Sequence, residues 1–181
     1  MSSMLRLFIP TALFTAVSLG SFALWAFGAG RFLHSETSLY IACATVFFVL
    51  GGLSLLPFSG VGEKTFNRKI FWLFPASFLL FASFWCAGWL LFRSHFGEII
   101  GSAVGIFAMT AVLKAGLRFS RTIFEAAPVV FCTYTIGYYI GEKLYQDIGG
   151  TTGKLAWGLG FGVGLGLGLS YLIQLSQRSR N

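Results

Sequence analysis

Six stretches of the chain are apolar for long enough to cross a bilayer, and short polar segments separate them. They run over residues 7–30, 39–59, 70–92, 99–116, 123–141 and 155–175. About 20 apolar residues in a helix span a hydrocarbon core of about 30 Å. Hydrocarbon offers the backbone no partners but its own, so each stretch is expected to be helical. The pattern predicts an all-α, polytopic membrane protein with six transmembrane helices in one domain over residues 1–181. Arg6 ahead of an apolar run resembles a secretory leader, but the run is too long for one and five more follow. It reads as an uncleaved first helix.

A weak recurrence runs through the odd-numbered stretches. Each opens with a basic residue followed by a proline: Arg6 with Pro10, Lys69 with Pro75, and Arg121 with Pro128. Proline near a helix start costs little, because its missing N–H has no partner there anyway. Each odd stretch also closes on an aromatic followed by charge: Trp25 before Arg31, Trp89 before Arg93, and Tyr138-Tyr139 before Glu142-Lys143. The recurrence predicts three two-helix hairpins around a pseudo-three-fold axis. The even stretches are rich in Gly and Ala, and the odd ones carry most of the Trp. Small residues let helices approach closely, so even helices are expected inside and odd ones more outside.

The sixth stretch has the most specific pattern. Gly158, Gly160, Gly162, Gly164, Gly166 and Gly168 alternate with larger residues. Positions four apart share a helix face. The alternation therefore makes two small-residue ridges, Gly158/Gly162/Gly166 and Gly160/Gly164/Gly168, about 160° apart. Such a helix is built for packing, either inside one protomer or between copies. Its alternation resembles the inner helix of rotor-ring c subunits of rotary ATPases. That resemblance covers this helix alone and implies close packing. No mid-membrane carboxylate follows in a second helix, so proton translocation is not carried over.

Composition agrees with a membrane solvent. The chain is 56% hydrophobic and 10% charged, against about 25% charged in soluble domains. A formal charge of +7 does not point to nucleic acid, because the basic residues sit in short clusters between apolar runs and form no continuous phosphate-tracking face. Those clusters set the expected topology. Arg6, Lys64, Arg68, Lys69, Lys114, Arg118, Arg121, Arg178 and Arg180 fall on the side of the termini. Arg31, Arg93, Lys143 and Lys154 fall on the other. Lys and Arg accumulate in cytoplasmic loops, so both termini are expected in the cytoplasm of a cell-membrane protein.

Candidate chemistry is sparse. His34 with Glu36, His95 with Glu98, and Glu142 are expected together at the outer mouth, where imidazole and carboxylate could bind a divalent metal or pass protons. H-x-E and H-x-x-E spacings are common, and scattered polar groups at solvated helix ends are the alternative. Glu125, in the first turn of the fifth helix, suits capping and pairing with Arg118 or Arg121. Thr45, Ser83, Thr110, Thr133 and Thr135 are mid-span hydroxyls expected to bond to the preceding helical turn. Cys43, Cys86 and Cys132 lie in apolar runs without metal or disulfide spacing. Gly149-Gly150-Thr-Thr-Gly153-Lys154 lacks phosphate-loop spacing and reads as a flexible turn. No enzyme signature or cofactor motif appears.

Three function classes remain. A small permease or channel fits three hairpins around an axis. A non-catalytic membrane subunit or substrate-binding module, working with a partner or with copies of itself, fits equally in size. Substrate-binding subunits of energy-coupling-factor transporters also have six spans. They dock through A-x-x-x-A in the first helix, which Ala12-Leu-Phe-Thr-Ala16 resembles. That resemblance implies partner docking at Ala12 and Ala16. An intramembrane enzyme built on His34 and His95 is the third. The permease-like class is the primary expectation.

Overall fold

The computed structural model describes residues 3–28, 35–56 and 64–179. These residues form six helices: α1 (Ser3–Gly28), α2 (Glu36–Ser54), α3 (Lys64–Phe92), α4 (His95–Leu117), α5 (Ile123–Ile148) and α6 (Gly150–Arg178). All six are long and apolar enough to cross a membrane, and no strand occurs among the described residues. The chain is a polytopic, all-α membrane protein.

Several helices outrun the apolar stretches that announce them. α5 continues beyond Gly141 to Ile148, and α6 begins at Gly150 rather than Leu155. Hydropathy marks the part of a helix facing hydrocarbon, whereas the helix itself persists into the polar interface. There Lys143 and Asp147 pair across one turn at 2.7 Å. The expected flexible turn over 149–154 is correspondingly short. Within residues 149–154, only Gly149 and Gly150 take positive φ, 68° and 56°, a conformation that glycine adopts without a Cβ clash.

Each helix packs on its neighbour in sequence, and α6 returns to pack on α1, so the six close into a ring. α6 is the best buried and α4 follows, but α2 is no better buried than α5. The expected inner position of the even helices therefore fails for α2. Gly51 and Gly52 are buried on one side of it, while Tyr40, Ile41, Val49 and Leu50 face outward.

Glycines explain the tightest seams. On α6, a Cβ at Gly158 would strike Phe22, at Gly162 it would lie 2.8 Å from Ser18 Cβ, and at Gly166 it would reach Phe14 and Thr11, all on α1. The other ridge meets α5: Gly160 abuts Gly137 and Gly141, Gly164 abuts Thr133 and Gly137, and Gly168 abuts Val130. The α3–α4 seam is similar, with Gly88 against Gly97 and Gly101. None of Gly20, Gly51 and Gly52 meets the partner helix's backbone across the α1–α2 pair; Gly51 lies against the rings of Phe74 and Phe14. α1 instead gives its packed face to α6, where Thr11 donates to Ser170 at 3.1 Å and Ser18 to the Gly158 carbonyl at 2.8 Å.

Candidate functional site

The interior of the ring is filled by aromatic side chains. An unbroken series of ring contacts runs Tyr138–Tyr134–Phe81–Phe78–Phe47–Phe14–Phe74, with centroids between 4.8 and 5.6 Å apart. These rings come from α5, α3, α2 and α1. Phe161 of α6 touches Tyr134, Phe47 and Phe78, so five helices meet at one aromatic column. Near the termini, Leu55, Ile70, Phe74, Leu113, Leu117, Leu169, Leu172 and Ile173 line an apolar cavity of about 10 Å³, about enough for one water centre.

At the end away from the termini, the column leads to ionisable groups. Ser94 caps α4 by accepting from the Gly97 amide, at 3.3 Å. This sets His95 and Glu98 one turn apart, with Nδ1 of His95 3.3 Å from the Glu98 carboxylate. The imidazole is exposed, but Glu98 is only 9% exposed. Its charge acts on Tyr134, Tyr138 and Tyr139 of α5 and on Glu142, one turn beyond Tyr138. Glu142 also lies within electrostatic reach of His95, and Gln146 donates to it at 3.4 Å. α4 and α5 thus bring His95, Glu98 and Glu142 to one corner of the bundle.

Glu36 stands exposed in the first turn of α2, behind the Ser35 cap, and among the described residues it has no hydrogen bond or ion pair to that corner. His34 lies outside the described residues. Among the described residues, no three His, Cys, Asp or Glu side chains converge as a metal-binding group. Ala12 and Ala16 are exposed on α1. The three cysteines are free thiols.

Tyrosines and tryptophans surround this corner. Tyr134 and Tyr138 are buried and stack at 5.5 Å, and Ser102 of α4 lies beside the Tyr134 hydroxyl. Trp85 and Trp157 flank Tyr138, and both indole N–H groups are buried without an acceptor among the described residues. The four-residue spacing of Tyr134, Tyr138 and Glu142 is the signal that places them on one face. A second aromatic group adjoins them. Tyr145 stacks on Trp157 at 5.4 Å, and the Lys154 ammonium lies 4.3 Å over Trp25, a cation–π contact.

Of the mid-span hydroxyls, Thr45, Ser83 and Thr133 bond to the preceding turn at 2.7, 2.8 and 3.1 Å. Thr110 and Thr135 depart from the expectation, because their buried hydroxyls have no partner among the described residues. Glu125 accepts from the Thr122 amide and hydroxyl and from Arg121, at 2.8, 3.0 and 3.1 Å.

Fold and site together define a six-helix integral membrane protein with a closed aromatic interior and an ionisable corner at one end. No protein-family model matches the chain, and no curated protein or solved structure is similar to it.

Proposed function

We propose that the chain is a permease- or channel-like membrane protein that passes a small solute or ion along the axis of its helix ring. His95, Glu98 and Glu142 form the outer mouth, and both termini face the cytoplasm. The observation that carries this reading is the buried Glu98 carboxylate at the head of an axial column of side chains. An ionisable group held away from solvent within a membrane bundle is expensive and marks a path by default. The column is closed by rings of Phe and Tyr, not by backbone. Rotamer changes at Phe161, Phe78 and Tyr134 therefore suffice to open a route, whereas the glycine seams between helices stay shut.

Flux into proteoliposomes tests the reading. Phe161→Ala removes the ring on which four other helices converge and is expected to raise solute leak. Glu98→Gln keeps the shape of the corner, so it is expected to lower flux about tenfold or more without changing thermal stability. Identical flux from wild type, Phe161→Ala and empty liposomes, over a panel of small cations and neutral solutes, overturns it.

A second reading is a non-catalytic membrane subunit or substrate-binding module that docks through α1. It is favoured by Gly20, which is exposed and in line with Ala12 and Ala16. A Cβ there would meet nothing within 4 Å, unlike every other glycine described inside a helix beyond its first residue. Retention of a second membrane protein by wild type but not by Gly20→Leu, on purification in mild detergent, would support it.

A further inference from the structure

The turn joining α4 to α5 is fixed more firmly than a surface connection requires. Lys114, in the last turn of α4, does not extend to solvent. Its ammonium donates to the Phe119 carbonyl at 3.1 Å and to the Arg121 carbonyl, and lies 5.2 Å from the Phe119 ring centre. Phe119 itself is buried. Two further bonds tie the same turn to the end of α6. Ser176 Oγ donates to the Leu117 carbonyl and the Ser120 amide donates to Ser179 Oγ, both at 2.8 Å.

Arg118 sits between those two ties, in the left-handed region at φ 55°, a conformation uncommon for a residue with a Cβ. Its side chain is exposed, as is that of Arg178 on the facing turn of α6. Among the described residues neither has an ion-pair partner. The nearby acid Glu125 is engaged by Arg121 at 3.1 Å. The corner therefore carries fixed, uncompensated positive charge.

An exposed aromatic ring follows at the same end of the bundle, six residues along the chain. Phe124, in the first turn of α5, is 81% exposed, and its ring lies 6.0 Å from that of Phe107 of α4 between centroids. Cationic guanidinium groups next to an outward aromatic ring, at the end of membrane-spanning helices, match an amphiphile with an anionic head. Guanidinium forks suit phosphate oxygens, and a ring at this depth suits the top of an acyl chain. A soluble phosphate would use the first feature and leave the second unexplained.

We infer that this corner is a binding site for an anionic phospholipid, with Arg118 and Arg178 holding the phosphate headgroup and Phe107 and Phe124 bordering the acyl chain. Lys114 and the two serine ties position Arg118 and make no contact with lipid. The inference stands apart from the solute path, which opens at the opposite end of the bundle.

Native mass spectrometry and thermal unfolding of the full chain, in detergent with added phosphatidylglycerol or phosphatidylcholine, test it. Wild type is expected to retain phosphatidylglycerol selectively and to unfold at higher temperature with it. A basic residue at an anionic lipid surface contributes about fivefold in affinity, so Arg118→Gln with Arg178→Gln is expected to bind about twenty-five-fold more weakly. Its unfolding temperature without anionic lipid should match wild type. Arg93→Gln, at the other end of the bundle, should bind like wild type. Equal retention of both lipids by wild type overturns the inference, as does undiminished phosphatidylglycerol binding by the double variant. Equal stabilisation by inorganic phosphate alone overturns the lipid assignment and leaves a phosphate site.

Discussion

Gly20 and Gly164 are both interior helix positions, yet their surroundings are opposite. A Cβ on Gly164 would sit 2.5 Å from the Thr133 carbonyl oxygen, whereas one on Gly20 would meet open space. Backbone cannot move aside cheaply in a packed seam, and overpacking costs about 1–3 kcal/mol. Gly164→Ala is expected to lose about that much. Gly20→Ala is expected to be neutral or to gain up to about 1 kcal/mol from helix propensity. Thermal unfolding of the two variants in one detergent checks both signs, and a Gly164→Ala protein as stable as wild type would refute the α5–α6 approach. Thr110 offers a second contrast, being fully buried with an unpartnered hydroxyl. Burying a hydroxyl without a partner costs about 1–3 kcal/mol. Thr110→Val is therefore expected to stabilise the fold, and a clear loss in unfolding temperature would show that the hydroxyl has a partner in the working protein.

At the scale of elements, α6 differs from the other five because glycine lets it touch neighbours on both flanks at backbone distance. Side chains add to this at only a few points. One is the Ser176 bond to the Leu117 carbonyl, which fastens the end of α6 to the end of α4. A carbonyl left unpaired in a buried site costs about 1 kcal/mol or more. Ser176→Ala is expected to lose that amount and to speed amide exchange across residues 117–122, with little change at the other end of the bundle. Uniform exchange in both regions would show that the tie does not hold the turn. The alternation of glycines in α6 and its two opposed ridges can be read off the sequence. Which helix meets each ridge cannot, since α1 and α5 both offer small and hydroxyl residues at similar spacing. Nor does the sequence mark Lys114 as a residue turned back upon its own turn.

For the whole molecule, six candidate crossings imply that both ends of the helix series lie on one face, and the distribution of Lys and Arg predicts that this face is cytoplasmic. In intact cells, a membrane-impermeant thiol reagent is expected to label Asp147→Cys and to leave Ser179→Cys unlabelled, in a background lacking the three native cysteines. The reverse pattern would invert the assigned topology and move the His95/Glu98 corner to the cytoplasm. The number, type and approximate extent of the helices were legible because hydrocarbon imposes one requirement on every segment alike: apolar side chains around a self-satisfied backbone. The lateral arrangement was not. Lipid is as apolar as leucine, so hydropathy does not distinguish a side facing lipid from one facing another helix. The inner place expected for α2 failed for that reason. His95, Glu98 and Glu142 were visible as ionisable residues near helix ends. The tyrosines and indoles around them were not visible as part of a site, because only packing shows that Tyr134 and Tyr138 turn inward. Sequence thus determined the medium and the helix count. Tertiary structure alone decided the ring closure through α6, the aromatic column and the burial of Glu98, because each depends on which faces meet across the bundle.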